Sequence, residues 1–263
     1  MFQKHLSEET RRKISQAKLG VKLPPFTKEH KRKISEALKG RKHPWAEKLV
    51  QRNFSENCSF GYVLGVILGD GSLYVGNLPT NQVYVLSLMA KDCDFVESFS
   101  YHYEQLTGRK AKVRSYYKNG KQYFQASPAN KGLYELFLPI KHGKDYQRLL
   151  MLSEDVKKGL LAGFIDSEGY VLINEERRHI EIVNTDIELL KTIRKILESF
   201  NVFSNLHVYA NRGTFNSNLP LGTLRINSFN SVKRLRELIH LHIARKESQL
   251  SKVNMLQIVP RRA

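Results

Sequence analysis

The sequence predicts an α/β (α+β) protein made of two pseudo-symmetric αββαββα halves, preceded by short basic helical repeats. Three observations lead to this prediction. The glycine-spaced apolar segment Gly61–Leu73 has a counterpart in Gly159–Val171. Polar and apolar residues alternate after each of these segments, which is typical of strands. The front of the chain repeats a basic pattern. We therefore expect a basic repeat region in residues 1–52, a first half in 53–152 and a second half in 153–263.

The charge of the chain points to a polyanionic partner. A formal net charge of +18 arises from 43 Lys and Arg against 25 Asp and Glu. An excess of this size attracts nucleic acid, although a ribosomal or merely soluble basic protein is the alternative on charge alone. Two cysteines without a CxxC spacing indicate a reduced, intracellular protein. The start lacks a signal-peptide core and the longest apolar run, "YVLGVILG", is too short to cross a bilayer, so no membrane partner is expected.

The basic front region contains two similar units. The first, "SEETRRKISQAKLGVKLP", begins at Ser7, and the second, "TKEHKRKISEALKGRKHP", begins at Thr27. Each unit has an N-cap, a short basic helix, a glycine stop and a lysine and proline tail. Few apolar residues are available for a core, so the helices would order on a phosphate-bearing partner, with Lys13 and Lys33 as equivalent DNA contacts. A solvated basic tail is the alternative. These units resemble the modular DNA-binding repeats that accompany homing endonucleases.

The two apolar segments carry acids at their C-terminal ends, where the helix dipole disfavours them. Glycines four residues apart place small residues on one face of each helix, which lets two helix backbones approach closely. Such packing would bring Asp70 beside Glu168, 98 residues later. Two adjacent carboxylates repel unless a cation lies between them. One such segment alone is equally consistent with a core helix and a turn, but two in matching register favour a divalent-metal site.

Both segments resemble the LAGLIDADG motif of homing endonucleases, written "VLGVILGDG" and "LAGFIDSEG" in this chain. Two copies in one chain resemble the monomeric branch of that family, and the resemblance extends from about residue 60 to 259, including "VNTDIELLKTIRKILESFNV". It implies that Asp70 and Glu168 bind Mg2+ and activate attack on DNA. It also implies that the main-chain carbonyls of Gly69 and Ser167 serve as metal ligands. Oxygen ligands suit Mg2+, and the nine histidines form no convincing zinc arrangement.

The motifs differ at the position two residues before the last acid. The second motif has Asp166 there and the first has Leu68. An acid at this position is therefore not needed for chemistry in both halves.

The predicted strands supply the surfaces that would meet DNA. In "KAKVRSYYKNGKQYFQAS" a period of two places one basic set on a single face: Lys110, Lys112, Arg114, Tyr116 and Lys118. Asn119–Gly120 predicts a type I′ turn to a partner strand. In the second half, two strands present a polar face: Asn205, His207, Tyr209 and Asn211 on one, Thr223, Arg225 and Asn227 on the other. Such ribbons fit the major groove, although a polar face is also an ordinary solvated surface. We expect the halves to form a DNA-binding saddle.

The family usually adds a basic residue near the metals to stabilise phosphate charge. Lys121 and Arg225 occupy plausible strand positions in the two halves, and both are candidates for this catalytic role.

Together these features predict a site-specific, Mg2+-dependent endonuclease that cuts both strands of double-stranded DNA as a monomer. Two other functions stay open. One is an RNA maturase that assists splicing of its own intron RNA; the other is a DNA-binding regulator that has lost cleavage. Retention of Asp70 and Glu168 favours activity but does not exclude a maturase. An intracellular location is expected, whether mitochondrion, plastid or the cytoplasm of a microbial or phage host.

Overall fold

A computed structural model describes residues 7–18, 27–38, 54, 56–77, 82–174, 177–210 and 220–255. The chain forms two compact units, residues 1–48 and 49–263. None of the described helices is long and apolar enough to cross a membrane.

The first unit contains two short basic helices, as predicted. Helix α1 spans Glu8–Lys18 and α2 spans Lys28–Leu38. Their caps match the sequence pattern, because the Thr10 N–H donates to Ser7 Oγ over 3.3 Å and the His30 N–H donates to Thr27 Oγ1 over 3.2 Å. The predicted glycine stops and lysine–proline tails lie outside the described residues.

The second unit repeats one order of elements twice, which confirms the predicted αββαββα halves. The first half contains α3 (Cys58–Leu68), β1 (Ser72–Asn77), β2 (Gln82–Ala90), α4 (Cys93–Thr107), β3 (Val113–Lys118), β4 (Lys121–Ala126), α5 (Lys131–Lys141) and the short α6 (Gln147–Leu150). The second half contains α7 (Glu154–Glu168), β5 (Gly169–Ile173), β6 (Arg178–Asn184), α8 (Ile187–Ser199), β7 (Asn205–Tyr209), β8 (Leu221–Ile226), α9 (Phe229–Leu238) and α10 (Ala244–Ser251), then a 3₁₀ turn (Lys252–Met255). Cys58 and Cys93, which begin α3 and α4, are both free thiols.

Each half folds into a four-stranded antiparallel sheet of the same topology. The strand orders are β1-β2-β4-β3 and β5-β6-β8-β7, so each sheet consists of two hairpins side by side. The predicted turn between β3 and β4 is present, with φ of 51° at Asn119 and 71° at Gly120. Positive φ at both central residues is the signature of a type I′ turn.

Helices α3 and α7 pack against each other through their glycines at the centre of the second unit. A Cβ at Gly65 would lie 2.8 Å from Phe164 N, and a Cβ at Gly163 would lie 3.1 Å from Val66 N. Carbonyl oxygens of the facing helix would be closer still. Tyr62 and Leu160 are fully buried beside this contact. The backbones therefore touch directly, as the glycine spacing predicts, and the contact compensates for the roughly 1 kcal/mol that an interior glycine costs a helix.

We predict that Gly65→Ala destabilises the second unit by at least about 3 kcal/mol, because backbone atoms of α7 leave no room for a methyl group. Urea unfolding measures this loss. The matched control is Gly76→Ala in β1, where the nearest atom to an added Cβ, Val83 O, lies 3.8 Å away. A Gly65→Ala protein as stable as the control would show that the helices can separate without cost.

Candidate metal and nucleic-acid site

The helix packing brings the two predicted acids to the same place. Glu168 is the last residue of α7, and Asp70 follows the end of α3 after its C-cap, Gly69. Gly69 packs on α7, since a Cβ there would lie 2.8 Å from Ser167 Oγ and 3.2 Å from Glu168 Cγ. The absence of a side chain at Gly69 thus permits the approach of the two acid-bearing turns.

The two carboxyls disfavour each other's charge. The pKa of Glu168 is raised from its ordinary 4.5 to about 7, first by burial and then by the charge of Asp70. Asp70 has an exposed side chain, yet the surrounding protein removes enough water to raise the pKa of its carboxyl. Among the described residues neither acid forms an ion pair. The protein therefore does not fully stabilise the charged form of Glu168, which favours a bound cation.

Two lysines that the sequence analysis missed occupy equivalent positions at the ends of the acid helices. Lys141, the last residue of α5, donates from Nζ to Gly71 O at 2.7 Å, to Gly69 O at 3.3 Å and to Ile67 O. A cation bonded to these carbonyls stabilises the negative end of α3. Burial lowers the pKa of Lys141, and the charges of Glu168 and Asp70 oppose that shift.

Lys246 in α10 bonds the carbonyl groups at the C-terminal end of α7, as Lys141 does for α3. Its side chain is buried, and Nζ donates to Ile165 O at 2.9 Å and to Asp166 O at 2.6 Å. Burial lowers the pKa of Lys246 to about 8. The sequence signal for this pair is limited to an isoleucine shortly before each lysine, in "LFLPIK" and "HIARK". Their separation of 105 residues is close to the 98 residues between the acids.

Two further side chains distinguish the second half. Asn184 donates from Nδ2 to Glu168 Oε1 at 3.1 Å, a contact that the sequence analysis did not predict. Asp166 is buried and accepts hydrogen bonds from Tyr62 OH at 3.0 Å and from His242 N at 2.9 Å. Asp166 therefore ties α7 to the chain segment before α10. Leu68, at the matching position of the first motif, is a buried core residue.

The donor set fits a hard divalent cation. Asp70 and Glu168 provide carboxylate oxygens, and the Gly69 and Ser167 carbonyls lie in the same two turns. Gly69 O already accepts from Lys141. Ser167 Oγ is buried and has no hydrogen-bond partner among the described residues. No cluster of three or more His, Cys, Asp or Glu suited to a metal occurs in the part of the chain that the structure describes. Two carboxylates with few protein ligands suit Mg2+, which keeps several waters.

The two basic residues predicted to act in catalysis, Lys121 and Arg225, form no hydrogen bond or ion pair with Asp70 or Glu168 in the described part of the chain. Lys121 begins β4 at the hairpin turn, opposite Lys118, and is exposed. Arg225 lies in β8 and forms an ion pair with Glu181 of β6. The cations bonded to the acid-bearing turns, within the described ranges, are Lys141 and Lys246 instead. A catalytic role for Lys121 or Arg225 stays a prediction.

The predicted basic face of the first sheet is present but shorter than expected. Strand β3 begins at Val113, so Lys110 and Lys112 precede the strand, although both are exposed. The other three residues share one face, because Arg114 pairs with Gln125, Tyr116 with Tyr123 and Lys118 with Lys121. The rings of Tyr116 and Tyr123 stack with centroids 5.9 Å apart.

The second sheet presents the predicted polar face. Asn205 pairs with Arg225 and His207 pairs with Thr223, so these side chains lie on one side of β7 and β8. His207 and Tyr209 are exposed, and their rings stack with centroids 6.3 Å apart. Asn227 follows β8 and is exposed. Asn211 lies outside the described residues.

Comparisons with known proteins agree with this geometry. A model of the LAGLIDADG-like domain matches residues 155–240, and the NUMOD3 motif matches residues 3–26 and 24–48. The uncharacterised protein MJ0398 of Methanocaldococcus jannaschii is 26% identical over 210 residues, which cover 76% of this chain and 73% of that protein.

Solved structures show the same fold at low identity. The homing endonuclease I-DmoI in complex with DNA and Ca is 16% identical, with a TM-score of 0.53 over 76% of this chain and 99% of that one. The homing endonuclease I-WcaI bound to its DNA recognition sequence is 15% identical, with a TM-score of 0.55 over 82% of this chain and 97% of that one. The fold is thus that of the LAGLIDADG homing endonucleases. The chain itself carries a LAGLIDADG-like domain over residues 155–240 and two NUMOD3 motifs, and both were expected from the resemblance seen in its sequence.

We predict that Glu168→Gln stabilises the metal-free protein at pH 8 by about 1–3 kcal/mol and leaves its stability at pH 4.5 nearly unchanged. The folded-state pKa of Glu168, about 7, lies above its ordinary 4.5, so this group lowers stability as pH rises through that interval. Gln removes the penalty. Urea unfolding in EDTA at the two pH values measures the change in the free energy of unfolding. Glu198→Gln, which changes a half-buried acid paired with Arg194, serves as control and should shift stability by less than about 0.5 kcal/mol. Equal effects of Glu168→Gln at both pH values would contradict the raised pKa.

Proposed function

We propose that this chain is a site-specific, Mg2+-dependent endonuclease that cuts both strands of double-stranded DNA and acts as a monomer. The observation that carries the proposal is the pair of carboxyls, Asp70 and Glu168, which two packed helices hold together at the boundary of two similar halves. One acid comes from each half, which matches one hydrolytic site for each strand of a duplex. A single chain supplies both acids, so no second copy is required.

Asp70 and Glu168 would hold Mg2+, with the carbonyls of Gly69 and Ser167 as predicted additional ligands. When bound, Mg2+ supplies charge neutralisation at the phosphate and a more acidic water. The structural neighbour I-DmoI has been studied in complex with DNA in the presence of Ca, of Mn and, as a G20S variant, of 2 mM Mg. The choice of Mg2+ for this chain rests on its oxygen donors.

The surrounding residues position these acids. Asn184 donates to one oxygen of Glu168, and within the described residues the other oxygen accepts no hydrogen bond. Lys141 and Lys246 place two positive charges beside the carboxyls, where they would attract the scissile phosphates and stabilise charge that develops there. Because the pKa of Lys246 is about 8, this ammonium can also exchange a proton near neutral pH.

The two sheets would supply DNA contacts from the faces described above. The Arg114, Tyr116 and Lys118 side of the first sheet adds positive charge, and the His207 and Tyr209 side of the second sheet offers polar edges for base readout. The overall charge of +18 would strengthen binding to any phosphate backbone.

We predict that Asp70→Asn abolishes double-strand cleavage, a loss of at least about 100-fold, while DNA affinity changes by less than about threefold. Phosphate contacts carry affinity, whereas the acid pair carries chemistry. Cleavage of a duplex with the uninterrupted host allele in Mg2+, and binding of the same duplex in EDTA, measure the two effects. Glu198→Gln is the control that should cut like the wild type.

The outcomes of that experiment separate the possible functions. A discrete cut by the wild type alone supports the nuclease and the site together. Binding without a cut by the wild type would overturn the nuclease and make intron RNA the next substrate. A cut by both proteins would mean that the chemistry lies elsewhere.

We predict that deletion of residues 1–48 weakens DNA binding and flattens its dependence on salt concentration. The deletion removes two exposed basic helices, and each lost phosphate contact lowers the slope of log K against log salt by about 0.9. Binding titrations at several salt concentrations measure the slope. The control replaces Lys13 and Lys33 by Gln in the full chain, which should reproduce part of the effect. An unchanged affinity and slope after deletion would refute a DNA role for the repeats.

A further inference from the structure

We propose that His102 and His242 form a second metal site, specific for a transition-metal ion such as Zn2+, that joins the two halves of the protein. His102 lies on α4 of the first half, and His242 lies between α9 and α10 of the second half. This site is separate from the acid pair and does not depend on the proposed nuclease activity.

The spacing of the two imidazoles fits a shared ion. Their Nε2 atoms lie 3.2 Å apart. Two nitrogens that bind the same tetrahedral zinc ion, each at 2.0–2.1 Å from it, are separated by about 3.3 Å. The ring centroids are 4.8 Å apart with the planes at 83°. A straight N–H···N bond of this length would place the centroids roughly 5.4 Å apart. The two nitrogens are therefore not aligned as in a straight hydrogen bond.

The burial of both rings favours the form of imidazole that binds a metal. Burial lowers the pKa of His102 to about 4, and burial also lowers the pKa of His242. Burial therefore favours the neutral form of each ring over the charged form. Neutral imidazole is the ligand form, and zinc, copper and nickel accept it readily. Without metal, one Nε2 carries the proton and donates it to the other.

Neighbouring groups fix the orientation of both rings. Ser59 Oγ lies 2.9 Å from His102 Nδ1, which leaves Nε2 as the free ligand nitrogen. The Tyr62 ring contacts His102 and His242 with centroid distances of 4.2 and 4.7 Å. The main-chain N–H of His242 donates to Asp166. Such outer contacts are typical of metal-binding histidines, whose second nitrogen is held by another polar group.

A cavity of about 280 Å³ adjoins the two rings and leaves space for the remaining ligands. Its lining includes Cys58, Asp155 and His240. Across the described ranges, no third His, Cys, Asp or Glu completes a metal cluster in the present geometry. Water would fill the other two positions of a tetrahedral ion. With only two protein ligands, we expect the site to bind Zn2+ with lower affinity than a structural zinc site in which all four ligands come from the protein.

Occupation of this site would couple to the acid helices through their packing. Tyr62, whose ring contacts both imidazoles, belongs to α3 and donates to Asp166 of α7. Lys246 follows His242 by four residues and bonds the end of α7. An ion at the histidines would hold this segment in place and raise the stability of the whole second unit.

The test uses the full chain with both carboxyls neutralised, Asp70→Asn and Glu168→Gln, so that metal at the acid pair cannot contribute. We expect Zn2+ at tenfold above its Kd to raise Tm by about 3–5 °C, whereas Mg2+ should leave Tm unchanged. His102→Gln and His242→Gln, each added to this background, should abolish the Zn2+ effect. His207→Gln, which changes an exposed histidine on β7, should retain it.

Co2+ serves as a spectroscopic probe that does not depend on stability. Its visible absorption should saturate with a stoichiometry of one Co2+ per chain in the background protein and disappear in the two histidine variants. A Zn2+ effect absent from the background protein, or equally large in both variants, would overturn the proposal. If one histidine variant does not fold, the other variant and the Co2+ signal of the background protein test the proposal.

Discussion

The direct contact between the backbones of α3 and α7 is the constraint on which the second unit depends. Gly61 and Gly65 face α7, and Gly159 and Gly163 face α3, so backbone meets backbone along both helices. This contact continues to Gly69, where it places Asp70 beside Glu168. Any side chain along this line would separate the halves and the acids together. The same feature therefore determines the packing of the core and the geometry of the site.

The electrostatics at the end of this contact explain why two buried or half-buried lysines accompany the acids. A helix C-terminus already carries partial negative charge, and a carboxylate there adds to it. Lys141 and Lys246 bond the carbonyls of the two ends rather than the carboxylates themselves. The helix ends are thereby stabilised, while the acids keep oxygens available for a cation. Direct ion pairs with the lysines would occupy those oxygens.

Much of the fold followed from local patterns. The glycine spacing, the Asn119–Gly120 turn and the repeated N-caps each reflect contacts within a short segment or one strongly periodic face. Lys141 and Lys246 were missed because their partners lie 70 or more residues away along the chain. In sequence a buried lysine looks like a surface lysine. The start of β3 was also misjudged, because alternation in Lys110–Lys112 continues past the point where the sheet begins.

The duplication is incomplete, and the differences concentrate in the second half. Strand β6 ends at Asn184, which donates to Glu168, whereas the corresponding strand β2 ends at Ala90, which has no side-chain donor. Asp166 likewise has Leu68 as its counterpart. Glu168 is therefore restrained by more contacts than Asp70, which remains the more exposed acid. Two acids in such unequal surroundings cannot be chemically equivalent, even though the two helices that carry them are nearly so. A chain that encodes both halves is free to diverge in this way, since a change in one half is not copied into the other, as it would be in a symmetric homodimer.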